Sequence, residues 1–398
     1  MSYQLPQGFR FAGVHCGLKS DPSQLDLSLV VSDVPATAAG VFTQNIVCGA
    51  HVTVDRPRTP GKGFQAVVTN SRCANDCTGE QGVRDAEQMT AVAAEVAGSA
   101  PDKALAMSTG VIGTMMPMDK VVPGIIEAGK QLARTEEALI RAARAMMTTD
   151  TFEKIVTRSI KLNCGQTVTI AGICKGAAMI APNMRTMLAL IMTDVAMEPQ
   201  EAQDLLFEAV EESFNCISVD GHTSPSDTVL LLANGAAKSE NLAKTDFELF
   251  RAELKLLCCE LARKIPEDGE GASHLITIDV NGCKDRSSAK TIAQKIANDP
   301  LVKTAIFGAD PNWGRIVSAA GTAGVPFDPM KASLSINGVE LFRSGTPVPF
   351  DKTAVSDSIR NNRDTHFSLS FGEGTESIRF WTSDLTCEYV RLNSDYTT

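Results

Sequence analysis

Lys175-Gly176-Ala177-Ala178-Met179-Ile180-Ala181-Pro182-Asn183-Met184-Arg185-Thr186 runs directly into Met187-Leu188-Ala189-Leu190-Ile191-Met192-Thr193-Asp194. From 187 to 192 the second part is short and apolar, bounded by Pro182 upstream and Asp194 downstream, and it reads as a strand buried on both faces. Thr186 then stands at the mouth of a core strand. Ahead of it, a Gly- and Ala-rich segment opening with the cation Lys175 is backbone that can approach a small ligand closely. A threonine in that place is ordinary by itself, because Thr is common in and near strands.

Upstream, a hairpin is expected over 160–173, turning at Asn163-Cys164-Gly165, with its second strand leading to Lys175. Thr135, followed by Glu136 and Glu137, predicts a capped helix to about 147, and Thr148-Thr149-Asp150-Thr151 then makes a polar patch. A strand over 104–107 ends in Ser108-Thr109-Gly110, whose hydroxyls and backbone N–H groups suit a substrate oxygen, although a tight turn uses the same residues. Strand-like pieces stand at 27–31, 39–42 and 65–70, and a helix places Ala86, Met89, Ala93 and Val96 on one face.

Downstream, Pro199 opens a helix, and the polar loop 218–228 leads into a buried strand over 229–233. A second amphipathic helix uses Phe250, Leu254, Leu257, Leu261 and Ile265. It ends before Asp268-Gly269-Glu270-Gly271-Ala272, with a strand at 275–280 beyond. A helix near 289–297, a strand near 303–307, the loop Asp310-Pro311-Asn312-Trp313-Gly314-Arg315 and a hairpin at Asn337-Gly338 follow. Strand pairs alternating with helices give an α/β (α+β) class, and the hairpins argue against a purely parallel doubly wound sheet.

At 398 residues, 43% hydrophobic and 21% charged, the chain can bury a large core. A net charge of -10 and 5% aromatic residues argue against nucleic acid or an anionic membrane as partner. The eleven cysteines are scattered without disulfide-scaffold or zinc spacing, and no charged start leads into an apolar core. No run reaches transmembrane length, so the expected setting is cytoplasmic.

No phosphate-binding loop or dinucleotide fingerprint is present, and the five histidines share no metal spacing. Asp220, His222 and nearby serines share one loop, but there is no Gly-x-Ser-x-Gly elbow, and sequence neighbours rarely form a triad. Lys175 suits a substrate carboxylate. Thr186 has a chemical advantage over these. Cleavage of the Arg185–Thr186 bond would give it an α-amine of pKa about 8, able to accept its own hydroxyl proton.

Taken together, Ser108-Thr109-Gly110-Val111-Ile112-Gly113, Lys175 through Leu188, Asp268 through Ala272, Asp310 through Arg315 and the tail from Tyr389-Val390-Arg391 past Asn393 to Thr398 resemble the ornithine acetyltransferase family, in family order across nearly the whole chain. The resemblance implies a layered sandwich of two central mixed sheets flanked by helices. It implies self-cleavage at Arg185–Thr186 into chains of residues 1–185 and 186–398, which stay together and pair into a heterotetramer. The implied reaction is ping-pong transfer of acetyl from N-acetylornithine to glutamate in arginine biosynthesis, without a cofactor or metal, and with acetyl-CoA as a further donor in some members. Thr186 would be the nucleophile, Thr109 and Gly110 the oxyanion hole, and Thr149, Lys175, Thr186, Glu270, Asn393 and Thr398 the substrate-binding residues. The sequence departs from the usual family pattern at Arg72, Cys73, Asp76, Arg185, His222 and Pro225. Two further readings stay open on sequence: a related N-terminal-nucleophile amidohydrolase passing its acyl group to water, and an uncleaved relative kept for binding.

Overall fold

A computed structural model of the protein describes residues 2–163, 165–181, 187–238 and 242–395. The N-terminal part contributes β1 (Phe9–Val14), β2 (Leu27–Phe42), α1 (Ala50–Asp55), β3 (Gly61–Asn70), α2 (Gly79–Ala97), β4 (Ala104–Ser108), α3 (Met118–Lys130), α4 (Glu136–Met146), β5 (Lys154–Lys161) and β6 (Thr167–Lys175). Beyond the quoted stretch come β7 (Leu188–Thr193), α5 (Pro199–Glu211), β8 (Ile217–Ser218), β9 (Thr228–Ala233) and α6 (Lys244–Glu267). The chain ends with β10 (Leu275–Cys283), α7 (Arg286–Ala297), α8 (Pro300–Phe307), α9 (Trp313–Gly321), β11 (Ser333–Ile336), β12 (Val339–Arg343), β13 (Thr346–Pro347), α10 (Lys352–Arg360), β14 (Asp364–Ser370), β15 (Glu376–Ser383) and α11 (Cys387–Asp395).

The strands form two mixed sheets. The first has the order β4-β3-β2-β9-β7-β6-β5, with β1 added beside β2, and the second β13-β12-β11-β14-β10-β15-β8. Parallel pairs (β3 with β4, β7 with β9) sit among antiparallel ones (β6 with β7, β2 with β9). The expected core strand is β7, buried along its whole length. Its pleat places Leu188, Leu190 and Met192 in the same apolar cluster as Leu139, Ala142 and Met146 of α4, while Ala189 and Ile191 join the cluster of α5 and α6. Burying one such leucine contributes about 1.5–3 kcal/mol. That second cluster continues without a break to Ile276, Ile278 and Val280 of β10 and to Ile292 and Ile296 of α7, so helices lie between and outside the sheets. Gly172 of β6 lets α6 approach closely, since a Cβ there would lie 2.5 Å from Leu261 and 2.9 Å from Leu257.

Most expected elements are present, with differences that have physical causes. Residues 27–31 and 39–42 belong to one long strand, β2. Its register with β3 shifts between Val31 and Ala36, and Asp33, Val34 and Pro35 are exposed there. The strand expected near 303–307 is the helix α8. Pro300 occupies its first turn, and the Asp299 carboxylate accepts from the N–H groups of Leu301 at 2.9 Å and Val302 at 3.1 Å. In so short an apolar run the side-chain period does not separate the two structures, and the cap decides. Helix α3 carries Pro123 internally, which hid it from periodicity. The turn of the hairpin at Asn337-Gly338 has positive φ at both residues, 49° and 81°, as a two-residue turn of this kind requires. Among the described residues no helix is long and apolar enough to cross a membrane.

Candidate active site

Three strand ends of the first sheet meet around one cleft. Strand β4 finishes at Ser108 and delivers Thr109 and Gly110, β6 finishes at Lys175, and β7 begins beside it, with Leu188 opposite Lys175 in the register. A cleft of about 360 Å³ opens there. The residues expected at the site divide in two. Thr109, Gly110, Thr149, Lys175, Glu270 and Asn393 all line this cleft, although five separate regions of the chain supply them. Arg185, Thr186 and Thr398 lie outside the described residues.

Lys175 is buried, and its ammonium donates to Thr109 Oγ1 at 3.2 Å. That bond occupies one lone pair of the hydroxyl and leaves its proton for another acceptor. Burial pulls the Lys175 pKa down, with Asp150 opposing and Lys154 adding to the fall. Lys175 belongs to a buried ionic quartet with Lys154, Asp150 and Asp268. Lys154 Nζ reaches Asp150 Oδ1 at 2.7 Å and Asp268 Oδ2 at 2.5 Å, and Asp150 Oδ1 also accepts the Gly176 N–H at 2.7 Å. Burial alone would raise the Asp150 pKa, but the two lysines and the Gly176 N–H bring it down to about 2. Lys154 is held above its usual value, its desolvation outweighed by Asp150 and Asp268. Within the threonine patch, Thr148 and Thr149 face the cleft, while Thr151 bonds Asp268 through both its backbone and its hydroxyl.

Gly110 has a φ of 136°, and a Cβ there would sit 2.1 Å from the Arg72 carbonyl carbon, so only glycine fits. Its N–H lies between those of Thr109 and Val111, which bond Asn70 and Arg72, and has no acceptor among the described residues. The cleft's far wall comes from the turn after α6 and from α11. The Glu270 N–H bonds the Ala177 carbonyl at 2.9 Å, and Glu270 Oε2 accepts from Asn393 Nδ2 at 2.8 Å. Gly271 allows α11 to dock, because a Cβ there would fall 2.6 Å from the Tyr389 nitrogen.

Asp220 and Asp227 organise the chain on either side of residues 182–186. Asp220 accepts from the Met179 N–H at 2.6 Å, the Ile180 N–H at 3.0 Å, the His222 N–H at 3.1 Å and the Tyr389 hydroxyl at 3.2 Å. Met187 is pinned at both backbone groups, with its N–H on Asp227 Oδ1 at 2.6 Å and its carbonyl accepting from Thr228 at 3.1 Å. The sequence set Asp220 aside as an improbable triad member and gave Asp227 no role. Their signal was that they are the two acidic residues of the loop 218–228, which composition alone does not interpret. Asp76 and Ser226 also line the cleft, their side chains 2.6 Å apart. The Asp310–Arg315 motif serves structure, with Asn312 capping α9 through the Arg315 N–H. No group of three or more His, Cys, Asp or Glu side chains placed to hold a metal ion occurs among the described residues.

The ArgJ family model matches residues 10–398. This chain belongs to the ArgJ family. It is 44% identical over 400 residues to the arginine biosynthesis bifunctional protein ArgJ of Rhodopirellula baltica, covering 100% of this chain and 97% of that protein. To the protein of the same name from Symbiobacterium thermophilum it is 41% identical over 396 residues, covering 99% and 98%. Among solved structures, the ArgJ crystal structure from Bacillus halodurans is 34% identical with a TM-score of 0.51, covering 52% of this chain and 98% of that one. The two mixed sheets with their helices are thus the architecture of an ArgJ protein.

Proposed function

We propose that this ArgJ chain is an acyltransferase of arginine biosynthesis that moves acetyl from N-acetylornithine to glutamate through an acetyl-Thr186 intermediate. The observation carrying this reading is the Lys175 ammonium on the Thr109 hydroxyl beside the Gly110 N–H, which has no acceptor among the described residues, near the start of β7 where Met187, the residue bonded to Thr186, is fixed. Family membership and the names of the relatives support it.

In this scheme cleavage of the Arg185–Thr186 bond frees the Thr186 α-amine, which takes the proton of its own hydroxyl as Oγ attacks the acetyl carbonyl carbon. The developing oxyanion is received by the Thr109 O–H and the Gly110 N–H, donors whose loss costs about 10²–10³ in rate in comparable sites. The carbonyl C–N bond then breaks, the α-amine returns its proton to the leaving nitrogen, and ornithine departs. Glutamate's neutral amine attacks the acetyl ester and passes a proton to the Thr186 α-amine, the bond from the acetyl carbon to Oγ breaks, Oγ takes that proton back, and N-acetylglutamate leaves. Lys175 pairs with the substrate α-carboxylate, while Thr149, Glu270, Asn393 and Thr398 complete the amino-acid pocket. Each step uses the chain's own groups, so the scheme calls for no resident cofactor or metal, and acetyl-CoA enters as an alternative donor substrate.

The product chains 1–185 and 186–398 would share the first sheet, because β7 and β9 lie between β2 and β6. Separating them would break the β6–β7 and β2–β9 ladders together. The Bacillus halodurans chain, matched over nearly its whole length by about half of this one, has the size of a cleaved chain and supports this organisation. We place the two chains in a cytoplasmic heterotetramer. Initial rates with purified protein, N-acetylornithine and glutamate test the reading: N-acetylglutamate should appear in step with ornithine. Ornithine released without any need for glutamate would favour an amidohydrolase instead.

A further inference from the structure

Asp76 lies in the cleft wall with almost no exposure, and among the described residues no basic side chain is bonded to it. Its Oδ2 is 2.6 Å from the Ser226 hydroxyl. Its Oδ1 is pressed against Gly49, where a Cβ would sit 2.3 Å away, and finds no hydrogen-bond partner among the described residues. Burial raises the Asp76 pKa to about 7, with the Ser226 hydroxyl opposing the rise. Among the described residues no cation is bonded to Asp76 to oppose this rise. His51 of α1 donates through Nε2 to the Ser226 carbonyl at 3.0 Å and is pushed down to about 4 by burial, so it is neutral. Cys73 of its own loop is held protonated by burial, and Asp85 of α2 adds negative charge. Lys175, Asp220, His222 and Glu270 stand around the same cleft.

A carboxyl bonded to a hydroxyl has two arrangements. When Asp76 is ionised, Ser226 must donate to it, and the Ser226 oxygen turns lone pairs to the cleft. When Asp76 is protonated, it can donate to Ser226, whose own O–H is then released toward the cleft. The acetyl-transfer reading, on which this inference rests, brings ligands of opposite side-chain charge into one pocket. Ornithine carries an ammonium, and glutamate and its acetyl derivative carry a carboxylate.

We propose that Asp76 and Ser226 form a reversible hydrogen-bond gate in the cleft wall, offering lone pairs to a cationic side chain and an O–H to an anionic one. The proton involved is exchanged with water. A cationic ligand expels it, and an anionic ligand draws it in.

Calorimetric titration of the cleaved protein at pH 7, in buffers of different ionisation enthalpy, counts these protons directly. Ornithine should release a fraction of a proton, and N-acetylglutamate should take up a fraction, relative to Asp76→Asn, because a carboxyl with a pKa of about 7 is partly protonated at that pH. The comparison with the variant cancels any contribution from the Thr186 amine. Ser226→Ala, which keeps the carboxyl, should weaken N-acetylglutamate several-fold more than ornithine. Equal proton counts in wild type and Asp76→Asn, or equal weakening of both ligands in Ser226→Ala, would overturn the gate alone. Failure of wild type to bind either ligand would overturn the acetyl-transfer reading and the gate with it.

Discussion

Asp150 and Asp76 are two buried carboxyls near one cleft, and they stand at opposite ends of the acid scale. Burial pushes both pKa values upward, yet Asp150 falls to about 2 while Asp76 rises to about 7. The difference lies in their neighbours. Asp150 faces Lys154, Lys175 and the Gly176 N–H, whereas the one side chain bonded to Asp76 among the described residues is the Ser226 hydroxyl. A buried charge is tolerated where cations and N–H groups were placed for it, and elsewhere the group keeps its proton. The floor under Lys175 is therefore electrostatically fixed, and the wall at Asp76 is free to titrate.

Breaking the fixed side should have the largest effect. Lys154→Met leaves Asp150 and Asp268 facing each other's surroundings without their shared cation, and should cost about 3–5 kcal/mol in denaturant unfolding at pH 7. An unchanged midpoint would mean that the quartet does not hold this edge of the sheet. The free side should respond with the opposite sign. The Asp76 pKa is higher folded than unfolded, so the stability it contributes is complete below about pH 4 and is lost as pH rises through about 7. Asp76→Asn has no such loss, and should gain up to about 4 kcal/mol over wild type at pH 8, shrinking toward zero near pH 4. A gain independent of pH would contradict the titration assigned to this carboxyl. The smallest effect sharpens the contrast at acid pH. Asp150 is lower folded than unfolded, so its contribution is complete above about pH 4, and about 2 kcal/mol should be lost as pH falls from 4 to 2. In Lys154→Met that acid loss should be largely gone.

Sequence and structure agree most where local chemistry decides. The all-apolar run of β7, the Thr135 cap of α4 and the Asn337-Gly338 turn each carry their instruction within a few residues. They disagree where two local readings compete, as in α8, or where a proline masks a helix, as in α3. In the site, Lys175, Thr109 and Gly110 were legible because small residues and a cation at strand ends suit ligand contact. Glu270, Asn393 and Thr149 came from the family resemblance, since nothing near them in sequence shows that they face one cleft. Asp76, Ser226, Asp220 and Asp227 gain their meaning only from partners 40 or more residues away, pairings that a linear pattern does not display. Asp76 did stand out in sequence as a departure from the family pattern, but its burial and its serine partner are properties of the fold.

The central claim is that Thr186 becomes an N-terminal nucleophile. It is tested most directly by intact mass measurement of purified wild type and Thr186→Ala, before and after addition of N-acetylornithine. Two wild-type fragments, 1–185 and 186–398, are expected, with one acetyl group gained by the second fragment and a single unmodified full-length chain in the variant. A wild-type chain that stays whole, or an acetyl group carried by the first fragment, would contradict it.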